Sequence, residues 1–273
     1  MNRRDLVIGG ALAVMAGPLA AQERALDLRV VLSGHSLSDP IRDPLQAMVR
    51  AAGGRVGTVS LSTIPGSPLE WRWNHVPHLD LRARVGEFDV VVLTERVALS
   101  NTVPFHHSAE YALRFSQLAW DVGAEAMLYS SWVTLDTGPA YAGQGSDSDA
   151  GLPWRERLDR EQILWEEIRA FVNANRPAGA PEMRLIPAHA VVAAIFDEIE
   201  AGRAPVGDIR DLFTDDIHPS PVLAWIVALA HFAVIYRQNP AGLVLPDGVS
   251  PAQAAWYEDL VWRVVTNYPA SGI

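Results

Sequence analysis

The chain has 273 residues, 49% of them apolar and 20% charged, with 22 basic against 32 acidic side chains for a formal charge of −10; this composition excludes disorder and collagen-like repeats, and the length suits one domain with its own core. Every basic residue is Arg and there is no Cys, which excludes Schiff-base lysines, a P-loop lysine, a Ser-Lys dyad, thiol nucleophiles, disulfides and thiolate metal sites. An anionic surface repels phosphate backbones, so nucleic acid is not an expected partner.

The chain opens on an address. Arg3-Arg4 precedes a mostly apolar stretch from Leu6 to Leu19 and then Ala20-Ala21-Gln22, the charged, apolar and cleavable parts of a signal peptide over residues 1–21. The paired arginines resemble a twin-arginine signal, and a general secretory signal fits the same pattern. The stretch falls short of the ~20 residues of a spanning helix and contains Gly17-Pro18, which argues against a permanent anchor. The expectation is a periplasmic or secreted protein, with residues 22–273 as one domain and no stable membrane insertion of the mature chain.

Short β-branched runs follow at 28–32, 56–61, 90–93, 126–129 and 184–186. They alternate with helical patterns at 44–52, 107–122, 155–175, 188–201, 221–236 and 251–267. That alternation predicts an α/β fold around a mostly parallel five-stranded sheet. Two long loops, 63–81 and 135–153, follow strand carboxyl ends, where open parallel sheets bind ligands. They are the expected walls of a cleft, with Trp71, Trp73, Tyr141 and Trp154 as candidate substrate contacts.

Two short segments can carry chemistry. Ser33-Gly34-His35-Ser36-Leu37-Ser38-Asp39 ends the first strand and places the Ser36 hydroxyl on a tight turn where a helix should begin. Asp215-Asp216-Ile217-His218-Pro219-Ser220-Pro221 precedes a long apolar helix, and the proline after His218 keeps the imidazole on a loop. A serine nucleophile needs a base within hydrogen-bond reach and a carboxylate to hold that base, and Asp215 stands three residues before His218.

Gly34-His35-Ser36-Leu37-Ser38-Asp39 resembles the first block of the SGNH (GDSL-like) hydrolase superfamily, and Asp215-x-x-His218-Pro219 resembles its last block. The likeness spans Leu28 to Tyr236. It implies a three-layer flavodoxin-like fold with Ser36 as nucleophile, His218 as general base and then acid, and Asp215 as the orienting carboxylate. Gly66 looks like the second-block glycine whose amide joins that of Ser36 in an oxyanion hole, although Pro65-Gly66 also reads as a simple turn.

The third block departs from the superfamily. In place of Gly-x-Asn-Asp stands Val91-Val92-Leu93-Thr94-Glu95-Arg96, with no Asn to donate to an oxyanion. Thr94 and Glu95 are therefore expected near the active site. Glu95 must be protonated, turned away and paired with Arg96, or occupied in orienting other groups. Thr94, Asn74 or Asn101 could donate instead.

His106-His107 reads as a solvated helix entrance rather than a metal site. Asp147 and Asp149 lack the Glu and Gly of a calcium loop. No metal or cofactor is expected. The sequence thus points to an exported serine hydrolase that cleaves or transfers acyl groups on oxygen esters. The aromatic loops and export favour a carbohydrate O-acetyl esterase, with a small-molecule or glycan ester as substrate. The alternatives are a lipase or general carboxylesterase and, because of Glu95, a non-catalytic glycan-binding module on the same fold.

Overall fold

A computed structural model describes residues 24–143, 145 and 147–273. The signal peptide expected over 1–21 lies outside the described residues.

Five strands, β1 (Arg29–Gly34), β2 (Thr58–Thr63), β3 (Val90–Leu93), β4 (Glu125–Tyr129) and β5 (Arg184–Ile186), form one sheet in the order β2-β1-β3-β4-β5 with every pairing parallel. This is the flavodoxin-like order, with its switch point between β1 and β3. The helices are α1 (Arg42–Ala51), α2 (Leu69–Asn74), α3 (Leu81–Arg84), α4 (Leu99–His106), α5 (Ser108–Asp121), α6 (Trp154–Ala174), α7 (Ala188–Glu200), α8 (Pro221–Tyr236) and α9 (Pro251–Asn267).

Because side chains alternate along a strand, the apolar runs of the central strands serve two cores at once. Val30, Leu32, Val90, Val92, Met127 and Tyr129 point to a cluster filled by α1, α7, α8 and α9. Val31, Val91, Leu93, Ala126 and Leu128 point to the other, filled by α2 to α5 and the later turns of α6. The helix α8 is buried from Leu223 to Tyr236. A helix apolar all round needs cover on every side, and α1, α9 and the sheet provide it. Ser220 caps its first turn, accepting from the Leu223 amide at 3.3 Å, and Pro221 opens it.

The strand β2 begins two residues later than its pattern predicts. One carboxylate oxygen of Asp27 accepts the amides of Arg55, Val56 and Gly57 at 2.6, 2.8 and 3.2 Å and holds them in a turn ahead of the sheet. The 63–81 loop is also more ordered than expected, since α2 lies within it and α3 begins at its last residue. Among the described residues no helix is long and apolar enough to cross a membrane.

A carboxylate from α6 holds the start of α4: both oxygens of Glu161 accept from the Leu99 amide, at 2.8 and 3.0 Å. Burial pushes the Glu161 carboxyl up from 4.5 to about 7. The folded state therefore holds this proton more tightly than the unfolded chain. The resulting stability is full below pH 4.5 and is lost as the pH rises through about 7, at about 1.4 kcal/mol per unit. Glu161→Gln keeps an acceptor and removes the charge. Urea unfolding should show the variant gaining about 3 kcal/mol relative to the parent between pH 4.5 and 7.5; a difference independent of pH would mean that Glu161 titrates normally.

Candidate active site

The first strand ends where a side chain no longer fits. A Cβ on Gly34 would lie 2.0 Å from Ser38 Oγ, 2.8 Å from Ser38 Cβ and 2.9 Å from Thr94 Cγ2, so the chain can turn here only with glycine. The Ser38 amide donates to the His35 carbonyl at 2.8 Å and closes the turn, leaving Ser36 half-buried at its tip. No α-helix starts directly after Ser36. A 3₁₀ turn at Asp39–Ile41 intervenes, and α1 follows it.

The loop before α8 brings His218 to this turn from the far end of the sequence. His218 Nε2 lies 2.9 Å from Ser36 Oγ, and His218 Nδ1 lies 2.7 Å from Asp215 Oδ2. The other oxygen of Asp215 accepts the Ile217 and His218 amides at 2.9 and 2.7 Å. These bonds, the His218 amide first, hold the Asp215 carboxyl down at about 2, so it is ionised at neutral pH. An ionised Asp215 puts the imidazole proton on Nδ1 and leaves Nε2 to accept from the Ser36 hydroxyl.

The loop itself is braced. The Thr214 amide donates to the His218 carbonyl at 2.9 Å, and Phe213 bridges to Pro219. The segment after β4 supports it from behind: the Leu135 amide donates to the Asp216 carbonyl at 2.7 Å and Trp132 Nε1 to the Ile217 carbonyl at 2.8 Å.

Gly66 sits beside this pair. The β1–β2 register sets Gly34 opposite Thr63, and the Ile64 amide continues the ladder to the Gly34 carbonyl at 3.1 Å, so the 64–68 turn borders the Ser36 turn. Gly66 has φ +64°, in the left-handed region that favours glycine. Among the described residues neither the Gly66 nor the Ser36 amide donates to a protein acceptor. Both the turn and the exposed-amide readings of Gly66 are thus compatible with its geometry.

The departure at the end of β3 has a definite structure. Glu95 Oε1 accepts the Leu69 and Arg96 amides at 2.9 and 2.7 Å, which ties the start of α2 to the sheet. Its charge partner is Arg72 of α2, also buried, rather than the Arg96 guanidinium. Burial pushes the Glu95 carboxyl up against the pull of Arg72. Burial likewise lowers Arg72 to about 10, which leaves it protonated at neutral pH. Arg72 donates to the carbonyls of Ser67 and Thr94, so one guanidinium joins the Gly66 turn to the end of β3. The Glu95 carbonyl accepts from His35 Nε2 at 3.0 Å, while His35 Nδ1 faces the Leu37 amide. Burial and then Arg72 lower His35 to about 4, so this ring is a neutral strut under Ser36. The Thr94 hydroxyl is buried beside Gly34 and has no hydrogen-bond partner among the described residues. Asn74 bonds within its own helix, to the Glu70 carbonyl at 2.9 Å, rather than swinging into the site.

Of the four candidate substrate aromatics only Trp71 lines the cleft. It is 49% exposed, stacks on His75 at 3.6 Å, and shares a cavity of about 430 Å³ with Pro65, Gly66, Ser67, Arg96 and His106. Trp73 turns the other way and packs edge-on against Phe115 and Tyr111. Trp154 is buried, donates to the Val133 carbonyl at 3.0 Å and packs on Phe196 and Phe213. Tyr141 lies in a 3₁₀ turn of the second loop, outside this cavity. His106 is not simply solvated: its Nδ1 lies 2.9 Å from Glu70 Oε2 and it closes one side of the cleft. Asp147 is paired with Arg157, and Asp149 lies 3.6 Å from Arg160.

Arg72 and His35 are the contributors that sequence reasoning passed over, and Arg96, expected as the partner of Glu95, lines the cleft instead. Their roles depend on α2 and on the backbone path after β3, neither of which has a periodic signature.

No protein-family model matches the sequence, and no match is found among curated proteins. Among solved structures, a DUF4886 family protein from Bacteroides uniformis is similar over 89% of this chain and 96% of its own, at 12% identity and a TM-score of 0.66. A protein from Slackia heliotrinireducens described provisionally as an SGNH hydrolase is similar over 75% of this chain and 97% of its own, at 21% identity and TM-score 0.47. A protein from Parabacteroides merdae described provisionally as a GDSL-like lipase covers 83% and 100%, at 12% identity and TM-score 0.48. With five parallel strands in flavodoxin-like order between two helical layers, the chain has a three-layer α/β fold that it shares with the DUF4886 family protein.

Proposed function

We propose that the chain is an exported serine hydrolase of the SGNH type that removes or transfers acyl groups on oxygen esters, acetyl groups on carbohydrate foremost. The observation that carries this reading is the continuous hydrogen-bonded path from Ser36 Oγ through both nitrogens of His218 to an ionised Asp215. In this scheme His218 Nε2 takes the Ser36 proton as Oγ attacks the ester carbonyl. The amides of Ser36 and Gly66 face the developing oxyanion, and each such donor is worth about 2.7–4 kcal/mol of barrier. His218 then returns the proton to the leaving alcohol. Water, or an acceptor hydroxyl, releases the acyl group by the same steps in reverse. The scheme uses no metal or cofactor.

The case for a non-catalytic glycan-binding module rests on an acidic residue at a donor position. One oxygen of Glu95 accepts two amides, and the carboxyl lies in the field of the buried Arg72, which supports a residue engaged in the fold rather than aimed at an oxyanion. Export follows from the amino-terminal pattern, and Trp71 in the cleft supports a saccharide, whose ring faces suit an aromatic wall.

One feature favours the lipase or carboxylesterase alternative. A groove of about 590 Å³ lined by Pro40, Pro44, Ala47, Pro219, Trp225 and Val244 runs beside the His218 loop and would suit an acyl chain. The reading is tested by acetate release from O-acetylated oligosaccharides beside hydrolysis of p-nitrophenyl octanoate and palmitate. The expected result is a higher kcat/KM on the acetyl sugars. A preference of ten-fold or more for the long chains would replace the sugar assignment with the lipase one.

A further inference from the structure

The cavity on the Gly66 turn, which borders the Ser36 turn, contains an uncommitted cation. Arg96 lines it with Gly66, Ser67 and Trp71, and its Nε donates to the buried hydroxyl of Thr102 at 3.2 Å, which fixes the arm of the side chain. Among the described residues no carboxylate lies within ion-pair distance of its guanidinium. Most arginines of this chain are paired: Arg155 with Asp159 and Asp197, Arg157 with Asp147, Arg184 with Glu125. Glu95, the adjacent acid, is turned to Arg72 and the Leu69 amide. Glu70, the acid on the other side of the cleft, is taken by His106 at 2.9 Å. The charge of Arg96 reaches the ring of His35, the residue next to Ser36. In a protein of net charge −10 it places a positive group without a carboxylate partner beside the Gly66 turn.

We propose that Arg96 is a specificity-determining residue that binds a carboxylate on the alcohol part of the ester, so that the substrate class is the O-acylated acidic saccharides. The proposal deepens the esterase reading and rests on it. A guanidinium presents two parallel N–H donors to a carboxylate, a geometry that no neutral sugar hydroxyl matches. Trp71 supplies a wall for the ring, and the cavity of about 430 Å³ is of ligand-pocket size. A sugar ring between Trp71 and Arg96 then has its ester directed to Ser36 and its carboxylate to Arg96.

The test compares kcat/KM on two matched esters, mono-O-acetylated methyl galacturonoside and mono-O-acetylated methyl galactoside, which differ in one carboxylate. The parent should prefer the acidic ester by about 10- to 100-fold, the range expected of hydrogen bonds to a charged group. In Arg96→Gln that ratio should fall to near one, and Arg96→Lys should keep part of it; circular dichroism and Tm of both variants establish that they fold as the parent does. A parent ratio near one, or a ratio that survives in Arg96→Gln, overturns the proposal. If the parent hydrolyses neither ester nor p-nitrophenyl acetate, the esterase reading fails by itself. Calorimetric binding of methyl galacturonoside against methyl galactoside then decides on Arg96: a preference lost in Arg96→Gln supports it, and equal affinities overturn it.

Discussion

Ser36→Ala is expected to abolish labelling by a fluorophosphonate probe and to lower p-nitrophenyl acetate hydrolysis by about ten-thousand-fold or more, with Tm close to that of the parent. Members of a serine hydrolase triad act as a unit, and loss of the nucleophile leaves only what binding and oxyanion donors supply. The structure gives Ser36 no obvious substitute. Ser38 is buried against Gly34 and Ser33 lies within β1, whereas Ser36 alone lies 2.9 Å from His218 Nε2. Alanine removes one half-buried hydroxyl and one hydrogen bond, so the turn should keep its shape. Labelling that persists in the variant would mean that another residue is the nucleophile.

Asp215→Asn is the second large effect, a fall in kcat of about ten-thousand-fold with the fold retained. An asparagine oxygen can keep the bonds to the Ile217 and His218 amides, so the turn survives. Its other terminus is an NH₂ group, which at 2.7 Å from His218 Nδ1 can only donate. The imidazole must then carry its proton on Nε2, where it meets the Ser36 hydroxyl with a donor instead of an acceptor. Because Asp215 stays ionised down to about pH 2, activity lost between pH 4 and 6 is not expected to come from this carboxylate. Turnover near the parent level in Asp215→Asn would show that another carboxylate orients the base.

The sheet was readable from the sequence because β-branched residues buried on both faces leave continuous apolar runs. β3 and β5 fall at 90–93 and 184–186 as the pattern places them. The six longer helices were readable by the same logic, from period and from signals such as Ser220-Pro221 and Ser250-Pro251. The helices α2, α3 and α4 were not, since they span four to eight residues, too few for a period to emerge. With α2 hidden, nothing indicated that Arg72 would turn inward to Glu95 or that Trp71 and Trp73, two residues apart, would face a cleft and a core. Trp154 was misplaced for a related reason: at the first position of α6 its ring belongs to the core and its Nε1 to a backbone carbonyl. The Ser36, His218 and Asp215 positions were legible because each lies on a short local motif. The charge network beneath them connects residues from three elements and has no local signature.

Ser36 and His218 stand 182 residues apart and meet only across the finished sheet. Every strand except β1 is completed after Ser36 and before His218, so a chain that emerges from its amino terminus carries the serine without its partner until most of it is in place. The hydroxyl is chemically ordinary throughout that interval. Under the proposed mechanism, reactivity at Ser36 is therefore a report on the whole fold, and a covalent probe of that serine also counts the fraction of molecules that have finished folding.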